Sequence, residues 1–366
     1  MNNVPDNNIY DFLILSASPR NTGCFLRAKY IALSLERSGA KVKLAIPCKS
    51  KPFMFDFIIN FFKYLYYVLL IDYKVGMSIK PYPNTLIPLL IKKILKKNKV
   101  IVDIDDVDFG YRGGILSSIL RSIQKPFPKY FDLVTFHNKL LRDFIIKEFN
   151  VLPEKLHTLL QGVDFSVFDC RLDVTEFKEE FIKKNNLNND TTILIYPAHL
   201  NIASDLDIIL SNIKDILNRE NILLIIAGGG QLFDEFKKSA HKLDIKNIYF
   251  TGYLSPDKIA EYILISDFAL VYYKDRKVNY YRSSMKLREC MALKKKIICN
   301  NVGELKSFEQ FTYQSESDIK SFIDLLDKCL KQYPVDTREK EGYEYIKKNY
   351  NWDLIGKEFV EFIKTI

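Results

Sequence analysis

Residues 280–304 read YYRSSMKLRECMALKKKIICNNVGE and divide into a polar loop, a helix, a basic turn, a buried strand and a second turn. We predict the helix from about Ser284 to Leu293, because Ser283 or Ser284 is a good N-cap. A helix that leads through a short turn into an apolar strand is the repeating unit of a parallel α/β sheet.

Short apolar runs and helical segments alternate along most of the chain. Residues 165–190 interrupt this order, because they are charged, end in an Asn-rich run and contain no predicted strand. We therefore predict an α/β fold with two Rossmann-like, doubly wound domains at 1–168 and 169–350, and a final amphipathic helix at 351–366. The predicted strands are 12–16, 42–46, 74–79, 100–104, 133–136, 156–160, 192–196, 222–227, 248–251, 268–273 and 296–299.

Composition is that of a globular protein, with 366 residues, of which 48% are hydrophobic and 27% charged. The six cysteines stand far apart without a CxxC pair, which argues against a disulfide framework or a zinc site. The N-terminal residues MNNVPDNNIYDF lack the charged and apolar regions of a secretory signal. A cytoplasmic protein is therefore expected.

Charge is unevenly distributed along the chain. Residues 1–165 contain 24 Lys/Arg and 14 Asp/Glu, whereas the remainder contains 30 and 31. The excess in the first half is typical of a solvated surface, or of a site for an anionic acceptor, a membrane or a nucleic acid.

Residues 53–70 (FMFDFIINFFKYLYYVLL) are almost entirely apolar or aromatic. A membrane span is disfavoured, because Asp56 and Lys63 would lie inside the bilayer at a cost of a few kcal/mol each. Two interpretations stay open, a core-facing helix and a helix lying on a membrane surface. Nearby Lys49, Lys51 and Lys74 favour the second.

Lys286 and Glu289 lie three residues apart on the predicted helix of the opening segment and therefore share a face. A lysine beside the free N–H groups of a helix start favours an anion. A carboxylate one turn later can accept two hydrogen bonds from a vicinal diol such as a ribose. The pair suits a nucleotide diphosphate, although a surface Lys–Glu pair would have the same spacing.

Three consecutive glycines, Gly228, Gly229 and Gly230, end a predicted strand. They allow backbone to approach a ligand at the carboxyl edge of a sheet, or they form a flexible turn. Their spacing is not that of a dinucleotide fingerprint.

Four aspartates, Asp103, Asp105, Asp106 and Asp108, lie at or just after the end of the predicted strand 100–104. Alternation along an extended chain would point Asp103 and Asp105 to the same side. Loop structure, contact with an acceptor or sugar, and Mg²⁺ binding are the three interpretations of this cluster.

The segment 280–304 resembles the donor signature of glycosyltransferase family 4, which has P-x-K-x-x-E-x-M-A-x-G-K-P-V-I followed by G-G-x-x-E. Lys286, Glu289, Met291-Ala292 and Gly303-Glu304 fall in register. Further marks of the family occur in the expected order over nearly the whole chain: QGVD at 161–164, LIIAGGG at 224–230, FTGYL at 250–254 and Trp352.

The resemblance implies a GT-B fold, with two domains facing each other across a cleft and the last helix crossing back to the first domain. It further implies retaining transfer of a sugar from a nucleotide-diphosphate sugar to a glycan or lipid-linked acceptor, in cell-envelope polysaccharide or glycoconjugate synthesis. Residues 1–168 would serve the acceptor and residues 169–350 the nucleotide sugar. The nucleotide sugar would be a co-substrate, with no cofactor, no metal and no nucleic acid. The protein would be cytoplasmic, or peripheral on the inner face of the membrane.

The same resemblance implies roles for single residues. Lys286 and Asp105 would serve catalysis, with Asp105 in the place of a histidine that many members carry. Gly23 would lie in an acceptor-side loop. The donor would be bound by Ser284, Lys286, Glu289, Gly228, Gly229, Gly230, Tyr253 and His199.

Three further positions depart from the family pattern. His199 and Ser204 stand where an Arg and a Lys usually hold the pyrophosphate, and Tyr281 stands where a Glu usually contacts the donor sugar. A degenerate GT-B module that binds without turnover, and a nucleotide-sugar epimerase of the same fold, are therefore the alternative functions.

Overall fold

A computed structural model describes residues 9–20, 22–48, 53–111, 114–219 and 221–366, and it divides into two compact units. Unit 1 consists of Met1–Gln161, Tyr281–Ser283 and Trp352–Ile366, and unit 2 of Gly162–Tyr280 and Ser284–Asn351. The change of unit between Gln161 and Gly162 comes earlier than the predicted boundary at residue 168.

Unit 1 is built on a six-stranded parallel sheet in the order β2-β1-β3-β4-β5-β6. Parallel neighbours require crossover connections, and here these are mostly helices. The strands are β1 (Tyr10–Ser16), β2 (Val42–Ala45), β3 (Tyr73–Ile79), β4 (Lys99–Asp103), β5 (Leu133–Phe136) and β6 (Leu156–Thr158). The helices are α1 (Gly23–Arg37), α2 (Phe53–Leu70), α3 (Pro83–Lys96), α4 (Gly114–Gln124) and α5 (Lys139–Phe149).

Unit 2 repeats this architecture with a parallel sheet in the order β12-β11-β10-β7-β8-β9. The strands are β7 (Thr192–Pro197), β8 (Ile222–Ala227), β9 (Ile248–Phe250), β10 (Phe268–Val271), β11 (Lys296–Asn300) and β12 (Tyr313–Ser315). The helices are α6 (Thr175–Lys184), α7 (Leu206–Leu217), α8 (Phe233–Lys242), α9 (Pro256–Ile265), α10 (Met285–Ala292), α11 (Ile319–Lys331) and α12 (Arg338–Asn349). Two buried apolar clusters, one containing Ile195 and the other Leu194, correspond to the alternating side chains of its strands.

The last helix, α13 (Trp352–Thr365), belongs to unit 1 and packs on α1. The Trp352 ring is buried and stacks on Tyr30 with 6.3 Å between the ring centres. Gly356 permits close approach, because a Cβ atom there would lie 2.6 Å from the backbone of Ser34.

All eleven predicted strands are confirmed to within one or two residues at their ends, and so is the α/β fold class with two parallel sheets. Strand β12 and helix α4 were missed. The segment 165–190 contains α6, whose Phe181 is buried in the core of unit 2, so this segment packs as part of that unit.

The apolar segment 53–70 does form a helix, α2, and within its described side chains, at 56–70, one narrow stripe is buried. Asn60, Tyr64 and Val68 form this stripe at intervals of four residues. No helix within the described ranges combines the length and the apolarity that crossing a bilayer requires.

Candidate functional site

The candidate donor site lies in unit 2, where the carboxyl ends of parallel strands meet the start of α10. Ligands of open α/β sheets bind at this edge. Ser284 is the N-cap of α10, as expected, and its Oγ accepts a hydrogen bond of 3.3 Å from the Leu287 N–H. Since Ser284 is buried, its side chain acts as a helix cap in this structure.

Lys286 reaches toward two tyrosines at the carboxyl edge of the sheet. Its Nζ lies 4.5 Å from the centre of the Tyr196 ring and 5.4 Å from that of Tyr273. Both rings are buried, so the faces of their π systems hold the ammonium group in a fixed place by cation–π attraction.

Glu289 is half-buried on the same helix, and its carboxylate has no hydrogen bond or ion pair with any described residue. Burial raises the pKa of Glu289 to about 7. Since Lys286 does not pair with it, the helix does not carry the surface Lys–Glu pair that the spacing allowed. A carboxylate held in partial burial without a partner is suited to accept hydrogen bonds from a ligand.

Glu304, which is in register with the last acid of the family signature, is engaged within the protein. Its Oε2 accepts a hydrogen bond of 2.9 Å from the Ser284 N–H, and its Oε1 binds the guanidinium of Arg288. The Arg288 side chain also donates to the Ser284 carbonyl at 2.9 Å. Glu304 thus fixes the start of α10 and Arg288 at the same time.

The three glycines bring the end of β8 against neighbouring loops of the same unit. A Cβ atom on Gly228 would lie 2.0 Å from the Ala198 oxygen, and one on Gly230 would lie 2.1 Å from the Leu200 oxygen. Gly228 also has a φ of +138°. The glycines therefore permit close approach of the protein's own backbone at the carboxyl end of β8.

His199 and Tyr253 stand on these two loops with 6.3 Å between their ring centres. The Tyr253 ring is 61% exposed, and a Cβ atom on Gly229 would lie 2.6 Å from it. Desolvation lowers the pKa of His199, and a backbone hydrogen bond with Gly229 opposes this effect. The predicted donor residues His199, Tyr253 and Gly229 are therefore brought together.

Ser204, expected at a pyrophosphate-binding position, is buried and donates to the Asn201 carbonyl at 2.7 Å. The next residue, Asp205, was missed by the sequence analysis. It is 3% exposed and binds Arg276 at 2.8 Å and the Asn279 amide at 3.2 Å. Asp205 precedes α7 and has a left-handed φ of 54°, a conformation that Asp adopts more readily than most residues.

In unit 1 the aspartates of the predicted cluster form ion pairs with two different cationic side chains. Asp103 ends β4 and forms a bidentate pair with Arg27, at 2.5 and 2.8 Å, with both side chains buried. Strand β4 ends at Asp103, so the regular alternation of a strand does not extend to Asp105, whose Oδ1 lies 3.7 Å from Lys80 Nζ.

Lys80, also missed, follows β3 and has a left-handed φ of 74°. Its Nζ lies 2.5 Å from Asp108, which also accepts from the Tyr82 hydroxyl at 3.0 Å. The pKa of Lys80 is held well above its usual value, because attraction by Asp105 and Asp108 outweighs desolvation. A non-glycine residue in the left-handed region beside a charged cluster is typical of a functional site.

Asp106 belongs to the same aspartate cluster. Burial is the main cause that raises the pKa of Asp106 to about 6, and Asp108 adds to this effect while Lys80 and Arg282 oppose it. Within the described parts of the chain, no three His, Cys, Asp or Glu side chains form a group that could hold a metal ion.

Two further unit 1 positions were expected near the site. Gly23 is the first residue of α1 after the N-cap Thr22, and a Cβ atom on it would meet open space. Tyr281 groups with unit 1, where its ring lies 4.9 Å from that of Phe144 and its carbonyl accepts from Asn138 at 3.3 Å.

Comparison with known proteins agrees with this architecture. Residues 177–348 match the family described as Glycosyl transferases group 1. An uncharacterised glycosyltransferase of Methanocaldococcus jannaschii is 23% identical over 237 residues, which is 62% of this chain and 58% of that relative. The matched region thus leaves more than a third of that relative uncovered.

Three solved structures show the same fold over nearly the whole chain. Sucrose-phosphate synthase of Thermosynechococcus elongatus has a TM-score of 0.74 at 12% identity, covering 97% of this chain and 98% of its own. The Anabaena protein HepE in complex with UDP and glucose has a TM-score of 0.75 at 10% identity, covering 98% and 100%. A glycosyltransferase of Rickettsia africae has a TM-score of 0.74 at 13% identity, covering 98% of each chain. The chain therefore has the fold of GT-B glycosyltransferases.

Proposed function

We propose that this protein transfers a sugar, with retention of configuration, from a nucleotide-diphosphate sugar to a glycan or lipid-linked acceptor. In that reaction the bond between the anomeric carbon and the diphosphate oxygen breaks, the acceptor oxygen takes its place, and the proton of the acceptor hydroxyl is released. The observation that carries the proposal is that Lys286 and Glu289 lie three residues apart on α10 at the carboxyl edge of a parallel sheet, and that the half-buried Glu289 carboxylate has no partner among the described residues.

Donor binding is assigned to that edge. Lys286 and the start of α10, with its cap Ser284, hold the diphosphate, and Glu289 accepts hydrogen bonds from the ribose. The exposed Tyr253 ring stacks on the base, against the wall that His199 and residues 228–230 form. The fixed ammonium of Lys286 stabilises charge that develops on the leaving diphosphate, which makes it the catalytic cation.

Acceptor binding is assigned to unit 1. Asp105 keeps one carboxylate oxygen without a hydrogen bond from any described residue, while Lys80 holds the carboxylate in place at 3.7 Å. An acceptor hydroxyl or the reacting sugar supplies the missing donor. Gly23 begins α1 in open space and leaves room for the acceptor chain.

The nucleotide sugar is a co-substrate in this proposal, and no metal takes part. The setting is cell-envelope polysaccharide or glycoconjugate synthesis in the cytoplasm, with the protein attached peripherally to the inner face of the membrane. The HepE structure, which contains UDP and glucose, supports the choice of a nucleotide sugar as the ligand class.

Binding without turnover is the second candidate, and one observation favours it. The Ser204 side chain is buried and hydrogen-bonded to Asn201, so it does not reach a phosphate as the lysine of the family would. Lys286 would then bind the diphosphate without the usual pair of cations.

The test is a calorimetric screen of the full chain against UDP, GDP, ADP and CMP sugars, followed by mass spectrometry of the mixture with an acceptor extract. We expect one nucleotide class to bind and a glycosylated acceptor to form. Glu289→Gln should weaken nucleotide binding by about 1.5–3 kcal/mol, whereas the control Glu261→Gln, at an exposed pair with Lys258, should not. Binding with no product would select the non-catalytic module, isomerised donor would select an epimerase, and no nucleotide binding would reject all three.

A further inference from the structure

Helix α2 exposes a broad apolar surface, here named the α2 face. Its most exposed side chains, Phe62 and Tyr66, are 62% and 64% accessible to solvent. Isolated exposed apolar residues are ordinary, but a contiguous set on one helix marks an interaction surface. The α2 face consists of Ile58, Ile59, Phe62, Tyr66, Leu69 and Leu70, each at least 39% exposed.

The opposite side of α2 fixes the direction of this face. The Asn60 side chain accepts from the Cys48 N–H at 2.7 Å and donates to the Cys48 carbonyl at 2.9 Å. The Tyr64 hydroxyl donates to the Ser16 carbonyl at 2.6 Å. Because these polar anchors hold the buried stripe to the sheet side, α2 cannot rotate to bury its apolar face without breaking them.

The positive charge of the first half is concentrated around the same element. Residues 41–99 contain 12 Lys and 2 Asp, whereas the rest of residues 1–165 contains 12 Lys/Arg and 12 Asp/Glu. The whole excess of positive charge in the first half therefore lies in the segment that contains α2 and α3. Among the lysines of this segment that the structure describes, four are exposed: Lys41, Lys74, Lys96 and Lys97.

Lys92 joins the ends of the two helices. Its buried side chain donates to the carbonyls of Leu69 and Ile71, both at 3.3 Å, at the end of α2. The next turn of α3 contains Ile94 and Leu95, which are 81% and 66% exposed, followed by the exposed Lys96 and Lys97. Apolar and cationic side chains therefore occur together at this end of α2.

We propose that the α2 face docks on an anionic lipid bilayer, with α2 lying parallel to the surface and its apolar side chains among the lipid headgroups and upper acyl chains. Apolar side chains on one helix face and nearby lysines are the two features that such attachment requires. A second copy is a poorer occupant, because a two-fold interface would bring the same lysine-rich segment against itself. This deepens the proposed function by naming how the enzyme meets a lipid-linked acceptor, and it rests on that function.

The test uses the full chain with vesicles of phosphatidylcholine alone and of phosphatidylcholine mixed with phosphatidylglycerol. Flotation measures the bound fraction at low salt and at ~0.15 M salt, where exposed charges are screened beyond ~8 Å. The triple variant Ile58→Ser, Phe62→Ser, Tyr66→Ser removes the centre of the α2 face. The control triple variant Leu140→Ser, Leu152→Ser, Ile202→Ser removes three side chains of similar exposure elsewhere.

We expect the wild type and the control to bind the phosphatidylglycerol vesicles and to bind less in salt. The α2 variant should bind about tenfold less or weaker still. Equal binding of the α2 variant and the wild type, equal binding to the neutral vesicles, or a wild type that stays unbound would each overturn the proposal. So would a dimer in light scattering that the α2 substitutions dissociate.

Nucleotide binding by the same variants separates this proposal from the proposed function. The α2 substitutions lie in unit 1, far along the chain from α10, and should leave the nucleotide affinity unchanged. Loss of vesicle binding with normal nucleotide affinity supports the docking surface. If the protein bound vesicles but no nucleotide, the proposed transferase function would be rejected and the membrane-docking role of the α2 face would still be supported.

Discussion

The ammonium nitrogen of Lys286 lies 4.5 Å from the centre of the buried Tyr196 ring, and within the described structure it forms no ion pair with Glu289 one turn further along α10. The cation and the carboxylate are thus held apart on one helix. A ligand that brings both an anion and a pair of hydroxyl donors can engage each of them without breaking a pair between them.

Lys286→Ala should weaken binding of nucleoside diphosphates by about 1.5–3 kcal/mol, the range of charge-assisted hydrogen bonds, and should change nucleoside binding little. The reason is that Lys286 contacts only the phosphates in the proposed complex. Calorimetry with both ligands measures the difference, and Lys306→Ala, at an exposed lysine of the same unit, is the matched control. Equal losses for nucleoside and diphosphate would show that Lys286 supports the fold instead.

Glu289→Gln should make the ligand-free protein more stable than the wild type at pH ~8.5, and change it little near pH ~4.5. Burial raises the pKa of Glu289 from 4.5 in the unfolded chain to about 7. Between these values the folded state keeps a proton that the unfolded state has lost, so stability falls as pH rises through this window and is lowest above it. The difference should reach about 2–3 kcal/mol. Thermal unfolding at a series of pH values measures it, and parallel curves for both proteins would contradict it.

His199 should add to diphosphate binding only in acid. Since desolvation lowers the pKa of His199 below its ordinary 6.5, the imidazolium forms, and attracts phosphate, only below that pH. Inorganic pyrophosphate is the appropriate probe because it avoids the ribose site of Glu289. The ratio of wild-type to His199→Gln affinity should rise as pH falls below ~6.5, and His241→Gln is the control. A constant ratio from pH ~5 to ~8 would exclude the contribution of His199.

Gly230→Ala should destabilise unit 2, while Gly23→Ala should be tolerated. The new Cβ atom at residue 230 would lie 2.1 Å from the Leu200 oxygen, a backbone atom that cannot turn aside, whereas that at residue 23 meets open space at the start of α1. We expect a loss of about 1–3 kcal/mol for the first substitution and less than ~0.5 kcal/mol for the second. Urea unfolding measures both, and similar stability of the two variants would be evidence against the close packing of the glycine wall.

Asp103→Asn should destabilise unit 1 by about 3–5 kcal/mol, because it leaves the Arg27 guanidinium buried without its counter-charge. The comparison is Asp353→Asn, which removes a pair with Arg37 whose side chains are 36% and 54% exposed and should cost less than ~1 kcal/mol. Chemical denaturation followed by circular dichroism distinguishes the two. A small effect at Asp103 would mean that water or another group replaces the lost charge.

Much of the fold could be predicted from the sequence, because apolar runs bounded by turns report directly on buried parallel strands. The start of α10 was predicted for a similar reason, since capping depends on residues that adjoin in the chain. Strand β12 was not predicted, because its three residues Tyr313, Gln314 and Ser315 do not form an apolar run.

The environment of the candidate residues could not be predicted, because it depends on partners distant in the chain. Asp103 meets Arg27, which is 76 positions away, and Asp105 meets Lys80 on another loop. The match of Glu304 to a position of the family signature likewise could not predict that its carboxylate binds the Arg288 guanidinium. Spacing determines which residues can share a helix face, and only the packed structure determines which of them keep a free carboxylate.

Helix α13 completes unit 1 with the last residues of the chain, after all of unit 2 has been made. During translation the groove on α1 that receives Trp352 is therefore left open while about 190 further residues are added, roughly 10–40 s at ordinary rates of synthesis. Unit 2 is therefore synthesised before Trp352 can cover this groove of unit 1. The nascent chain exposes apolar surface around Tyr30 for that whole interval, so that this groove is the place where a chaperone or a misplaced helix would compete with Trp352.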